Sequence, residues 1–171
     1  MNGVTRAMRR GILGVVAGLM LTLSPLAAQT ATPADSSHAM TYPLQFDSVN
    51  AYLVQLIPPA QRENVRNITL SAQGELLRVD ADVRIGAVPG FELFGGLGFA
   101  HVTGTGPVLL LQPGLVGWNI RTMVVAGQPI AEGLWAPLVH TATHRQDTAV
   151  PFKVGTWVKG VAVEPTGIRL Y

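Results

Sequence analysis

The fold is decided by residues 68–85, which read ITLSAQGELLRVDADVRI. On either side of Gln73-Gly74, apolar side chains take every second position. Between them, Arg78, Asp80, Asp82 and Arg84 alternate in charge. A period of two predicts an antiparallel hairpin with one face on the core and one face in water. We interpret the charged face as a solvated ladder of cross-strand pairs.

The segment before this hairpin has a helical period. Its apolar residues fall on one stripe with spacings of three and four: Val49, Tyr52, Leu53, Leu56 and Ile57. The pattern predicts a helix of about three turns. Asp47 or Ser48 is expected to cap its start, and Pro58-Pro59 is expected to end it.

The segments after the hairpin predict mostly strands. The glycine-rich residues 90–106 indicate a loop that leads into a strand near 99–103. Further strands are predicted over 108–112, over 115–125 with Val116, Trp118, Ile120 and Val124 on one face, and over 150–158, 160–164 and 168–171. Helical spacing from Ile130 to Val139, interrupted by Pro137, predicts a short or kinked second helix. This order predicts an α+β fold: a curved, mostly antiparallel sheet with one or two helices packed on one face.

The N-terminus has the three zones of a secretory signal peptide. Arg6, Arg9 and Arg10 precede the uncharged apolar run 11–23, and small residues at 26–28 suit a signal peptidase. We predict a signal peptide over 1–28, a flexible leader over 29–41 and a single domain over 42–171. The expected location is periplasmic or extracellular, with possible membrane association. Because the apolar run is shorter than the roughly 20 residues of a spanning helix, we expect no membrane span after cleavage, with an uncleaved anchor as the alternative.

Composition excludes several classes of function. Three of the twelve basic residues lie in the signal, which leaves nine against ten acidic residues. The mature chain is therefore close to neutral, without the basic patch of a nucleic-acid-binding protein. The absence of cysteine excludes thiol catalysis and disulfides. Only 13% of residues are charged, so the surface is expected to be neutral or partly apolar.

No strong catalytic or metal-binding motif stands out. His140 and His144 have the i, i+4 spacing of metal ligands, but the glutamate of an HExxH motif is missing. Gly96-Leu97-Gly98 lacks the third glycine of a dinucleotide fingerprint, and no serine sits in a GxSxG motif. We therefore predict no metal, no cofactor and no enzymatic activity. A hydrolase that uses His101, His140 or His144 is the alternative.

The remaining candidates are apolar. Some belong to the glycine-rich stretch and others are spread over several predicted elements: Phe91, Phe94, Phe99, Leu53, Trp118, Val124 and Trp135. Two interpretations stay open for them. In the first they fill one core, and in the second they line or cover an apolar groove that binds a ligand.

Two stretches resemble a known family. VRNITLSAQGELLRVDADVRI at 65–85 and VPFKVGTWVKGVAVEPTGIRLY at 150–171 are similar to the paired hairpins of LmeA-like phospholipid-binding proteins of bacterial cell envelopes. The resemblance covers about half of the mature chain and implies a non-enzymatic role in binding or moving lipid. It implies an apolar groove between sheet and helices. The alternative is an envelope module that docks another protein through a sheet edge or the glycine-rich loop.

Overall fold

The computed structural model describes residues 41–57, 59, 62–84 and 98–171. The predicted signal peptide, nearly all of the leader and most of the glycine-rich stretch lie outside these ranges. Among the described residues, no helix combines the length and apolar character needed to cross a bilayer.

The described residues form two helices and eleven strands. The helices are α1 (Phe46–Leu56) and α2 (Glu132–Thr143). The strands, in chain order, are β1 (Tyr42–Gln45), β2 (Val65–Gln73), β3 (Leu76–Arg84), β4 (Phe99–Gly106), β5 (Val108–Gln112), β6 (Leu115–Asn119), β7 (Thr122–Val125), β8 (Gln128–Pro129), β9 (Ala149–Lys153), β10 (Val161–Glu164) and β11 (Gly167–Leu170).

The strands belong to three antiparallel sheets. The five-stranded sheet has the order β2-β3-β4-β7-β8, and the two three-stranded sheets have the orders β1-β11-β10 and β5-β6-β9. α1 packs against β2, and α2 packs against β9 and β7. The predicted α+β class with antiparallel sheets is confirmed.

A bent hairpin connects two of the sheets. β4 and β5 follow each other across Pro107, and their partners β6 and β7 follow each other across residues 120–121. At the bend, the Asn119 amide donates to the Pro107 carbonyl (2.8 Å) and the Arg121 amide donates to the Thr105 carbonyl (2.9 Å). The predicted single strand over 115–125 is therefore two strands, because the chain turns from one sheet into the other at this point.

One main core lies between the sheets and the helices. It contains Trp118 and Trp135 together with Leu53 of α1 and apolar residues from the inner face of β2 and β3. Val158 also packs into it, although β9 ends at Lys153. The predicted strand over 150–158 is thus shorter than expected, and a turn at 156–157 follows it.

The start of α1 differs from the expected cap. The helix begins at Phe46, and no side chain caps it. Instead the Phe46 amide donates to the Thr166 carbonyl in the turn between β10 and β11 (2.9 Å). One unpaired amide of the first helical turn is therefore satisfied by a tertiary contact, which the local sequence does not reveal.

The same helix covers the outer edge of β2. The Asn50 side-chain amide donates to the Leu70 carbonyl (3.0 Å), and the Leu70 amide donates to the Asn50 Oδ1 (2.7 Å). Asn50 thus gives Leu70 the pair of hydrogen bonds that a neighbouring strand would supply. An edge strand protected in this way is a poor template for further pairing at this position.

Candidate functional site

Three of the predicted groove residues lie together in the main core. Leu53 is 4% exposed, Trp118 is 6% exposed and Trp135 is 1% exposed. The Trp118 indole donates to the Leu77 carbonyl (3.2 Å), and its ring lies against Gly104 of β4. In the described part of the chain these three side chains are packed among other core residues.

Val124 and Phe99, two further residues of the predicted groove, lie on the face of the five-stranded sheet that points away from the main core. Val124 is directly across from Thr103, and Phe99 is directly across from Arg84. Residues directly opposite each other in an antiparallel pair point to the same face, and on this sheet that face is the polar one. Phe91 and Phe94 lie outside the described residues.

A second, smaller apolar cluster is only partly covered. Ala100 of β4 and Val125 of β7 are buried, and four partly exposed side chains pack against them: Val102, Met123, Ile130 and Leu138. Leu134, one turn before Leu138 on α2, is 65% exposed. We call Leu134 and these six residues the open cluster. Its members come from β4, β7 and α2, together with Ile130, which precedes α2, so it is assembled by the fold.

The polar face of the five-stranded sheet carries a histidine between two carboxylates. His101 of β4 lies with Nδ1 3.1 Å from Asp82 Oδ1 and with Nε2 3.2 Å from Asp80 Oδ1. A neutral imidazole donates to one of these carboxylates, whereas an imidazolium donates to both. The His101 side chain is 56% exposed, so the ring is accessible from solvent.

Asp80 also accepts hydrogen bonds from residues other than His101. Arg78 donates to both oxygens of Asp80 (2.7 and 2.9 Å), and the Thr103 hydroxyl donates to Asp80 Oδ1 (2.6 Å). Burial alone would raise the pKa of Asp80, but these hydrogen bonds, that from His101 and the Arg78 charge hold it below its ordinary value.

Asp82 is held mainly from β2. The side-chain amide of Asn67 donates to its Oδ2 (2.7 Å). This hydrogen bond, followed by the one from His101, lowers the pKa of Asp82. Asn67 has a φ of 54° and sits where the register between β2 and β3 shifts. The bulge therefore brings a polar side chain from the edge strand to Asp82, which in turn contacts His101.

An aromatic ring closes one end of this polar face. The Arg66 guanidinium lies 4.0 Å from the centroid of Phe99, and the Arg84 guanidinium lies 5.3 Å from it. Cation–π contacts at exposed sites are worth about 0.5–1 kcal/mol. These contacts with neighbouring arginines account for an aromatic side chain at position 99 on the polar face.

The other two candidate histidines are placed differently. His140 lies in the last turn of α2, and His144 is the C-cap residue with a left-handed φ of 55°. In the part of the chain that the structure describes, no three His, Asp or Glu side chains are grouped so as to hold a metal ion. Of the three candidate histidines, His101 is the one for which contacts with carboxylates are seen.

The histidine–carboxylate cluster is assembled by strand register. His101 is separated from Asp82 by nineteen residues and from Asp80 by twenty-one. The sequence pattern predicts only a ladder of Asp80 and Asp82 within one hairpin, because it does not show that β4 pairs with the other side of β3. The alternation Phe99, His101, Thr103 was the available signal, since it puts three side chains on one face of a strand.

Comparison with known proteins adds no assignment. No family model matches the chain, and neither a curated protein nor a solved structure matches it. The resemblance to LmeA-like proteins therefore stays a prediction, and function is argued from the residues themselves.

Proposed function

We propose that this chain is an exported, non-enzymatic cell-envelope protein that binds a lipid-like or other apolar ligand. The N-terminal sequence supports export, and the low content of charged residues supports an apolar ligand. The observation that carries the ligand part is the open cluster. Its partly exposed members, and the exposed Leu134 one turn from Leu138 on the same side of α2, offer apolar surface to a ligand.

The proposed binding surface differs from the groove expected at first. Leu53, Trp118 and Trp135 are buried in the main core, so a ligand would have to displace packed side chains to reach them. The open cluster needs no such rearrangement. When a ligand covers apolar surface that is already exposed to water, binding is favoured by about 25 cal/mol for each Å² removed from water.

Ligand binding is tested on the purified protein with 1-N-phenylnaphthylamine, whose fluorescence rises in apolar surroundings, and by native mass spectrometry for co-purified lipid. We expect binding by the wild-type chain and weaker binding by Leu134→Ser. The matched control is Leu109→Ser, which removes an exposed leucine from β5, outside the open cluster. If all three proteins bind the probe equally and no lipid appears in the mass spectra, the proposal that the open cluster binds a ligand is wrong.

The non-enzymatic part of the proposal is tested at His101. We expect no turnover of chromogenic ester or phosphate substrates by the wild-type chain. Hydrolysis that is lost in His101→Ala but kept in His140→Ala would show instead that the cluster on the polar face is catalytic. Secretion is tested separately, by following the chain to the periplasm or the medium after expression in a bacterial host.

The second candidate function is an envelope module that docks another protein. It is favoured by β1, which among the described strands pairs with β11 alone and is mostly exposed. An edge strand can accept a strand from a partner. A photo-crosslinking residue in place of Gln45 should capture a partner in the envelope if this candidate is right, and should capture none if the chain acts through the open cluster alone.

A further inference from the structure

Two exposed tyrosines lie at one end of the β1-β11-β10 sheet, and an exposed tryptophan lies in the segment before β10. Tyr42 is 54% exposed, Trp157 is 41% exposed and Tyr171 is 49% exposed. They contrast with Trp118 and Trp135, which are buried in the core. Exposed tryptophan and tyrosine with one apolar and one polar edge are typical of surfaces that face an interface.

The sheet pairing places Tyr42 and Tyr171 at the same end, and hydrogen bonds connect Tyr171 to the segment that follows Trp157. Tyr42 of β1 and Val161 of β10 both lie across from Leu170 of β11. Tyr171 follows directly, and its carbonyl accepts hydrogen bonds from the amides of Lys159 (2.6 Å) and Gly160 (2.8 Å). Trp157 is two residues before Lys159, beyond the buried Val158. We call Tyr42, Trp157, Lys159 and Tyr171 the aromatic end.

The charge of this end is positive. The sequence contains two lysines in all, Lys153 and Lys159, and they flank Trp157. Both are exposed, and the whole segment 149–163 carries no aspartate or glutamate. With an exposed tryptophan between two exposed lysines, the segment 153–159 is both amphipathic and cationic.

The described fold is joined to the preceding forty residues at this same end. β1 starts at Tyr42, and the preceding sequence includes the uncharged apolar run 11–23. α1 starts at the far end of the same sheet, beside the turn between β10 and β11. The segment that precedes β1 is therefore joined to the described fold at the same end as Tyr171.

From these observations we propose that the aromatic end docks on the surface of an anionic phospholipid bilayer. Tryptophan and tyrosine rings are favoured at the level of the lipid headgroups, and lysines next to them attract anionic lipids. The proposal rests on export, as proposed above, but it concerns a different surface from the open cluster. It describes attachment to a bilayer, whereas the open cluster binds a single apolar molecule.

The test uses tryptophan fluorescence of the full chain with vesicles of phosphatidylcholine and phosphatidylglycerol that carry brominated acyl chains. Bromine quenches tryptophan at close range, and Trp118 and Trp135 are shielded in the core. We expect quenching of the wild-type chain and none of Trp157→Phe, whose remaining emission gives the buried background. Lys153→Gln and Lys159→Gln should each weaken binding by about fivefold, with no such effect on vesicles of phosphatidylcholine alone.

A matched control moves the reporter to another exposed position. In the Trp157→Phe background, Tyr52→Trp puts a tryptophan on α1, where Tyr52 is 60% exposed. This reporter should stay unquenched even if the apolar run 11–23 holds the chain on the vesicles. Equal quenching at both positions, or none at position 157 while the chain still sediments with the vesicles, would overturn the proposal. Capture of a protein by a crosslinker at 157 without any lipid quenching would assign this end to a protein partner instead.

The two proposals fail separately. Loss of 1-N-phenylnaphthylamine binding in Leu134→Ser tests the open cluster and leaves Trp157 unchanged. Quenching at position 157 tests the aromatic end and leaves the open cluster unchanged.

Discussion

The two faces of the five-stranded sheet are formed by the same strands, but one face is buried in the core and the other is polar. On the inner face, Leu77 and its neighbours pack against Trp118, and burial supplies the stability. On the outer face, Asp80 and Asp82 each contact the partly exposed His101. Exposed ion pairs are worth about 0–1 kcal/mol, whereas a buried large side chain is worth several times more. The comparison indicates that the inner face fixes the fold and that the outer face can change at little cost.

The largest effect is expected from Trp135→Ala on α2. Trp135 is 1% exposed, and removing a fully buried tryptophan costs about 3–5 kcal/mol. Urea unfolding followed by circular dichroism should show this loss. Leu134→Ala is the control, since the adjacent residue is 65% exposed and should change stability by less than about 0.5 kcal/mol. Similar losses in both variants would contradict the assignment of the buried face of α2.

A smaller effect is expected from Gly104→Ala on the inner face of β4. A Cβ at this position would lie 2.7 Å from Cη2 of Trp118, so the indole would have to shift. Overpacking of this kind costs about 1–3 kcal/mol. Gly133→Ala on α2 is the matched control, because nothing lies within 4 Å of its Cβ. Alanine there should stabilise the helix by about 0.5–1 kcal/mol, so the two substitutions should have opposite signs in thermal unfolding.

Asn50→Ala is expected to loosen the edge of β2. It removes both hydrogen bonds to the backbone of Leu70, at about 1–2 kcal/mol. Hydrogen exchange of the Leu70 amide should become faster, while the Val79 amide of the neighbouring strand β3 serves as the reference. Unchanged exchange at Leu70 would show that α1 is not what protects this edge.

The smallest effect is expected on the outer face and depends on pH. The folded protein lowers the pKa of Asp80 and Asp82. Their stabilising contribution is therefore present above the unfolded pKa of about 3.9, and it is lost as the pH falls through the lower folded value. In urea unfolding between about pH 5 and pH 3, the free energy of unfolding should fall less steeply with decreasing pH for Asp80→Asn than for the wild type. Thr103→Val, which removes one hydrogen-bond donor to Asp80, should fall between them. If the free energy of unfolding depends equally on pH in all three proteins, the hydrogen bonds to Asp80 do not stabilise the fold.

Much of the fold could be predicted because it depends on local periodicity. The alternation in 68–85 gave β2 and β3, the run 108–112 matched β5, and the spacing from Val49 to Ile57 gave α1 to within two or three residues. The bend at 120–121 could not be predicted, since an unbroken apolar pattern does not show where a strand passes from one sheet to another. β1 was missed as well, because four mostly exposed residues carry no clear pattern.

The candidate sites were less predictable than the fold. Leu53, Trp118 and Trp135 have the composition of either a groove or a core, and apolar residue types alone do not distinguish the two. The aromatic end joins residues 42, 157 and 171, and the cluster around His101 joins three strands. Such sets depend on which strands become neighbours, which no local pattern specifies.

The sequence by itself determined the strand and helix periods, the lack of cysteine chemistry and the apolar and basic zones of the N-terminus, because each of these is a property of adjacent residues. The tertiary structure decided which apolar residues are buried, which carboxylates meet His101, and where the exposed aromatic residues gather. These outcomes depend on register and on sheet order. The alternation within a strand restricts its register, but the partner that each strand finds is decided only when strands distant in the sequence become neighbours.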